Sequence, residues 1–191
     1  MTVAARETKF YTSEDLVNDP VVLEELFNLV NKAFKNPPNG LKQVEGLRFE
    51  NYDELLERLG KGICAVMFIQ GAAVASASII PWKGDSMDGD DFEISAVVVD
   101  PEYRGTGLAE SSVSAVEDAV MSKRSSDAAD VRLWLKTAEA RNGPYWTRRG
   151  FAVKENNVFP AGMWGMEHEF VISTMCRLAR RATSEKKVGA Q

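Results

Sequence analysis

Val97-Val98-Val99-Asp100-Pro101-Glu102-Tyr103-Arg104-Gly105-Thr106-Gly107-Leu108-Ala109 is the stretch that decides the fold. An apolar, β-type run stops at Asp100-Pro101. A Gly-rich turn follows from Arg104 to Gly107, and an amphipathic segment then begins. A strand that feeds a Gly-rich turn and a helix N-terminus is an anion-binding device. The first N–H groups of a helix have no intrahelical partner, and the helix dipole favours negative charge there. The stretch predicts a phosphate-bearing ligand.

Upstream, Lys9–Thr12 reads as a short strand. Asp19-Pro20 is a helix start, with Asp as cap and Pro at the first helical position. Leu23, Leu26, Phe27, Val30 and Phe34 recur at helical spacing until Asn36-Pro37-Pro38-Asn39-Gly40. A second helix opens at Asn51, with Glu54 in capping-box position, and closes at Gly60. Ile63–Ile69 and Ala73–Trp82, separated by Gln70-Gly71, read as a β-hairpin. Phe92–Val99 is the strand that enters the turn.

Downstream, a helix is expected from about Gly107 to Ser122, with Leu108, Ser112, Val116 and Ala119 on one face. Val131–Lys136 is a strand and Asn142–Arg149 a short helix. Phe151–Phe159 and His168–Cys176 are two more strands. No repeat or linker interrupts the chain, so it reads as one α+β domain over residues 1–182, with a polar tail at 183–191.

The bulk numbers exclude several classes. The chain has 191 residues, 45% hydrophobic and 27% charged, enough for a real core. A net charge of −5 argues against a nucleic-acid partner. No apolar run approaches the ~20 residues that span a bilayer, and Met1–Tyr11 lacks the apolar core of a signal peptide. No membrane partner and a cytoplasmic location are expected. Cys64 and Cys176 read as buried free thiols, and no Cys/His spacing suggests a metal. His168, the only histidine, reads as a surface or strand-edge residue.

Two phosphate motifs fit poorly. No lysine follows the glycines, as a Walker A loop requires. Glu110 occupies the third glycine position of a dinucleotide fingerprint. Arg104-Gly105-Thr106-Gly107-Leu108-Ala109 instead matches [Q/R]-x-x-G-x-[G/A], and the chain resembles the GNAT superfamily of acyl-CoA-dependent N-acetyltransferases. Trp146-Thr147-Arg148-Arg149-Gly150-Phe151 is similar to that family's second hallmark, a short helix ending in Gly-Phe. The element order agrees from about Lys9 to Cys176.

The resemblance implies a mixed, mostly antiparallel sheet splayed at a coenzyme A cleft and flanked by helices. It implies acetyl-CoA as co-substrate, with its pantetheine arm along Val97, Val98 and Val99. The pyrophosphate would rest on the turn made by Arg104, Gly105, Thr106, Gly107, Leu108 and Ala109. The implied activity is N-acetyl transfer to a primary amine, a small molecule being preferred over a protein, directly within a ternary complex. A non-catalytic acyl-CoA sensor and a longer-chain acyl donor stay open as alternatives.

Such chemistry needs a base for the ammonium and an acid for the leaving thiolate. Glu93 is the candidate base, by its place on the strand entering the turn. Strand alternation would put Glu93, Ser95, Val97 and Val99 on one face. The competing reading is a solvated carboxylate ending an acidic loop, and Asp91 is the runner-up base. Tyr145 is the candidate acid, one residue short of the family's usual tyrosine position, which here holds Trp146. An indole cannot serve as the acid, so either Gly143-Pro144 re-aims Tyr145 or no protein group protonates the thiolate. Asn142 reads as a helix cap.

The apolar connection Pro160–Met166 reads as an acceptor lip, a homodimer contact or core closure. The cluster Asp85, Asp88, Asp90, Asp91 and Glu93 reads as a lure for an ammonium or as a solvated loop. Trp82, Trp134 and Phe92 read as core.

Overall fold

The computed structural model describes residues 5–35, 47–84, 86–124, 130–161 and 168–179. Seven strands form one sheet in the order β1-β2-β3-β4-β5-β7-β6. They are β1 (Arg6–Tyr11), β2 (Ile63–Ile69), β3 (Ala72–Pro81), β4 (Asp91–Val99), β5 (Val131–Ala138), β6 (Ala152–Phe159) and β7 (Phe170–Ala179). All neighbours are antiparallel except β4 and β5. This is the mixed, mostly antiparallel α+β architecture that the sequence implied.

Among the described residues five α-helices cover the sheet: α1 (Ser13–Asn18), α2 (Pro20–Lys35), α3 (Tyr52–Leu59), α4 (Leu108–Ser122) and α5 (Glu139–Thr147). Helix α1 was not expected. It is too short to show periodicity, but Thr12 and Asp15 form a reciprocal capping box at its start. Asp19 caps α2 through a bond from the Val22 N–H. Asn51 caps α3 by accepting from the Glu54 N–H, while the Glu54 carboxylate accepts from Glu50 rather than from the cap.

The apolar run of β2 is explained by burial on both faces. Ile63 and Ala65 pack toward α4 and α5 with Phe92, Leu133, Val116 and Trp146. Cys64, Val66 and Phe68 pack toward α1, α2 and α3 with Leu16, Leu26 and Leu55. Filling these positions is worth ~1.5–3 kcal/mol per large aliphatic side chain. The sheet therefore separates two helical layers, and β4 lies in its middle.

The entry to α3 is organised by one buried amide. Asn31, 6% exposed in α2, accepts from the Arg48 N–H (2.8 Å) and the Phe49 N–H (3.1 Å). It also donates to the Phe49 carbonyl at 3.1 Å. A polar group buried this deeply persists because its bonds replace those lost to water.

Candidate active site

The Gly-rich turn stands where the sequence puts it. Asp100 caps a single 3-10 turn, Pro101–Tyr103, and α4 starts at Leu108. Gly105 and Gly107 have φ of 77° and 83°, left-handed values that side chains rarely adopt. A Cβ on either would meet no protein atom within 4 Å, so the space around them is open. The helix has no side-chain cap. Among the described residues the N–H groups of Gly105, Thr106, Gly107, Leu108 and Ala109 make no hydrogen bond. Five free donors at a helix N-terminus fit an anion such as a pyrophosphate.

The turn is anchored from both sides. Leu108, 1% exposed, packs with Met67, Val74 and Ala75. The Arg104 side chain donates to the Ala33 carbonyl at 3.1 Å, and Lys32 bonds Asp100 at 2.7 Å. Burial opposes ionisation of Asp100, but Lys32, the Glu102 N–H and Arg104 outweigh it and hold its pKa below the ordinary value. The Arg104 guanidinium thus ties the turn to the end of α2.

Strands β4 and β5 pair only at Asp91–Arg132, Phe92–Leu133 and Glu93–Trp134. From Ile94 onward β4 has no strand partner on that side among the described residues, which is the expected splay. On its other side the register with β3 shifts. Ser95 pairs with Ser78 and Val98 with Ser76, so Ala96 and Val97 oppose the single residue Ala77. This is a β-bulge, and Ala96 sits at φ 48°.

The bulge corrects the expected alternation. Val97 packs on the α4–α5 layer and Val99 beside Leu108. Glu93 and Ser95 face the other way, toward Arg58 of α3. Of the three valines, Val98 is buried in the α1–α3 layer and only Val97 and Val99 remain half-exposed.

Glu93 is 6% exposed, not a solvated strand end. Its carboxylate accepts from an Arg58 terminal nitrogen, while Arg58 Nε donates to Ser95 Oγ at 3.1 Å. Asp91 is tied up elsewhere. Arg132 and the Trp134 indole N–H both donate to it, and Arg132 above all holds its pKa below the ordinary value. Asp90 pairs with Arg124, and Asp88 bonds Ser86. Asp85 lies outside the described residues.

Helix α5 begins at Glu139, three residues before the expected Asn142, and runs through Gly143-Pro144. Asn142 is therefore inside the helix, not its cap. Trp146, 7% exposed, is a core residue set edge-on to Phe151. The Tyr145 ring packs under the Arg149 guanidinium at 3.6 Å, and Arg149 bonds Glu110 of α4 at 3.0 Å. The Tyr145 hydroxyl is buried without a partner. Burial raises its pKa above 10.0, against the pull of Arg149. An orphaned hydroxyl between α4 and α5 is the kind of group a ligand completes.

Several residues near Glu93 escaped the sequence reading. A cavity with room for about one water lies beside the bulge, lined among others by Leu26, Phe49, Leu55, Arg58, Ser76 and Ser95. Arg58 stands three residues after Leu55, on the apolar face of its helix, which was a readable signal. Trp82 and Trp134 are not core. They are half-buried and stacked at 4.9 Å, whereas Phe92 is fully buried as expected.

Both cysteines are buried and free. His168 is exposed just before β7. Among the described residues no cluster is suited to a metal, and no helix is long and apolar enough to cross a membrane. Most of the 160–166 connection and the 183–191 tail lie outside the described residues.

Comparison with known proteins gives this geometry a family. Among solved structures, the ribosomal-protein-S18-alanine N-acetyltransferase from Escherichia coli superposes with a TM-score of 0.65 at 13% identity, covering 95% of this chain and 98% of that one. An aminoglycoside 6'-N-acetyltransferase complexed with coenzyme A has a TM-score of 0.61 at 14% identity, covering 90% and 96%. The yncA protein from Salmonella typhimurium, solved with its cofactor acetyl-CoA, has a TM-score of 0.59 at 16% identity, covering 94% and 97%. No curated protein matches the sequence significantly. The family model for the acetyltransferase (GNAT) family matches residues 23–165, and the chain belongs to that family.

Proposed function

We propose that the protein transfers an acetyl group from acetyl-CoA to a primary amine, directly and without an acyl-enzyme. The observation that carries this reading is the run of five unbonded N–H groups from Gly105 to Ala109 at the uncapped start of α4. They would hold the pyrophosphate. The unpaired edge of β4 beyond Glu93, Val97 to Val99 included, would take the pantetheine arm. Acetyl-CoA supplies the activated thioester when bound.

Glu93 would take the proton of the acceptor ammonium, directly or through water. It is buried, fixed by Arg58, and lies just before the point where β4 and β5 part. Tyr145 would give a proton to the departing thiolate. Its hydroxyl is unbonded and its raised pKa keeps it protonated at neutral pH. The bulge at Ala96 turns the Glu93 side of β4 toward one layer and Val97 toward the other. Acceptor and donor can then approach from opposite faces.

The test is release of free thiol from acetyl-CoA with a panel of small amines and peptides. Amine-dependent release, lost in Glu93→Gln, supports an enzyme. Acetyl-CoA binding with no release for any amine would mean a sensor instead.

A further inference from the structure

Tyr145 and Trp146 are consecutive residues of α5, so their side chains leave the helix ~100° apart. Trp146 fills the core and meets the Tyr145 ring edge-on, with centroids 4.9 Å apart. Tyr145 is left on the same stripe of α5 as Arg149, four residues on, which bonds Glu110 of α4. The Tyr145 hydroxyl is buried and makes no hydrogen bond among the described residues. It therefore does nothing to fix its own ring, whose direction is set by what touches its faces and edges. The Arg149 guanidinium covers one face, 3.6 Å from the centroid. That guanidinium is itself held at two points. One terminal nitrogen donates to the Tyr145 carbonyl at 3.4 Å and the other to the Glu110 carboxylate at 3.0 Å. Its Nε is buried and unbonded among the described residues, so these two bonds and the ring account for its placement.

Glu110 stands in the first turn of α4, beside the free N–H groups of the Gly-rich turn. The bridge therefore ties the phenol to the helix that would carry the coenzyme. It adds little stability, because the Glu110 side chain is 65% exposed and exposed ion pairs are weak. Its electrostatic effect on the phenol is larger. Burial raises the Tyr145 pKa, Arg149 pulls it down, and Glu110 opposes that pull more weakly. These two, from α5 and α4, are the charged groups that act on the hydroxyl. An ordinary thiol has a pKa of ~8.5, so a phenol held above 10.0 is the weaker acid. Giving its proton to a thiolate runs uphill, and a cation on the ring lowers that cost by stabilising the tyrosinate.

We propose that Arg149 is a positioning residue for Tyr145: braced by Glu110, it fixes the phenol ring relative to α4 and faces the tyrosinate left when the proton goes to sulfur. This deepens the acetyltransferase reading and rests on it. In the step concerned the Tyr145 O–H bond breaks and an S–H bond forms on the departing CoA thiolate. The tyrosinate takes a proton back from solvent once the thiol has left. Arg149 touches neither sulfur nor acetyl group and acts only through the ring. Its planar guanidinium suits that task, because it stacks on the ring while its two terminal nitrogens stay bonded.

The experiment is a double-mutant cycle of Tyr145→Phe and Arg149→Met, with Arg149→Lys as the conservative variant. Free-thiol release from acetyl-CoA with a panel of amines gives kcat and the KM for acetyl-CoA. Arg149→Met should lower kcat about five- to thirtyfold, the scale of a partly desolvated cation on a ring. That KM should change by less than about twofold. Arg149→Lys should recover part of the loss, and Arg149→Met should cost nothing further in the Tyr145→Phe background. A second readout needs no turnover. With tyrosine isotopically labelled at Cζ, saturating CoA should shift the Tyr145 resonance, identified by its loss in Tyr145→Phe. Arg149→Met should reduce that shift while CoA still binds. Equal losses in both backgrounds, or no loss in a folded Arg149→Met protein, would overturn the inference and leave Tyr145 as the acid. A Tyr145→Phe protein as fast as wild type would overturn both. Thiol release with no amine would refute the acetyltransferase reading, and the Cζ resonance would then decide the inference. A shift that is absent, or unchanged in Arg149→Met, overturns it.

Discussion

Arg58 on α3 and Glu93 on β4 form an ion pair in which the carboxylate side chain is only 8% exposed. A carboxylate so enclosed is fixed in direction, and it ends the paired part of β4 and β5. Glu93→Gln keeps the shape and a hydrogen-bond acceptor but removes the base. Turnover should fall by about 10²–10⁴ with acetyl-CoA affinity unchanged. Arg58 is more than a third exposed, so loss of the pair should cost about 1 kcal/mol or less. Steady-state kinetics, binding and a melt on one sample separate these effects. Unchanged turnover would assign Glu93 to structure alone.

Tyr145 is predicted to matter for rate and not for stability. Its hydroxyl makes no bond, so Tyr145→Phe should leave the melting temperature unchanged or raise it. If Tyr145 is the acid, kcat should fall about a hundredfold. Burial sets its pKa above 10.0. The wild-type profile of kcat should then show no descending limb from this group below about pH 10. A kcat equal to wild type would mean the thiolate leaves without this proton donor.

Asn31 makes a contrasting prediction about stability. Asn31→Ala removes three hydrogen bonds and leaves the Arg48 and Phe49 N–H groups without their acceptor. The expected loss is about 2–4 kcal/mol, read from urea unfolding.

The turn, both hallmarks and most element positions were legible because each rests on local rules: Gly at positive φ, Asp and Asn caps, and alternation in short apolar runs. What escaped depends on tertiary context. The bulge at Ala96 carries no glycine to announce it, yet it decides which layer Val97 faces. Helix α5 passes through Gly143-Pro144, although proline usually starts a helix, because its other residues are held between β5 and the core. Trp82 and Trp134 looked like core by type, but their partners are one another.

The two thiols should be inert in the native state. Burial raises both, Cys64 to about 11. Since the ordinary thiol pKa is ~8.5, the folded state holds these protons more tightly than the unfolded one. Stability should be full below about pH 8.5 and decline as pH rises toward the folded values. A thiol reagent should label neither cysteine at pH 7.5 and both in denaturant. Rapid native labelling would contradict the packing of Cys64 between the serines of β3 and α2.

The most direct test of the account is calorimetric titration of acetyl-CoA into the folded protein, with NAD and ATP in parallel. The five unbonded N–H groups of the turn together with the unpaired β4 edge that would take the pantetheine arm predict saturable binding of acetyl-CoA and none comparable for the other two, which carry phosphates but no pantetheine. Absence of acetyl-CoA binding by protein shown to be folded would make the turn a purely structural one and contradict the proposed function.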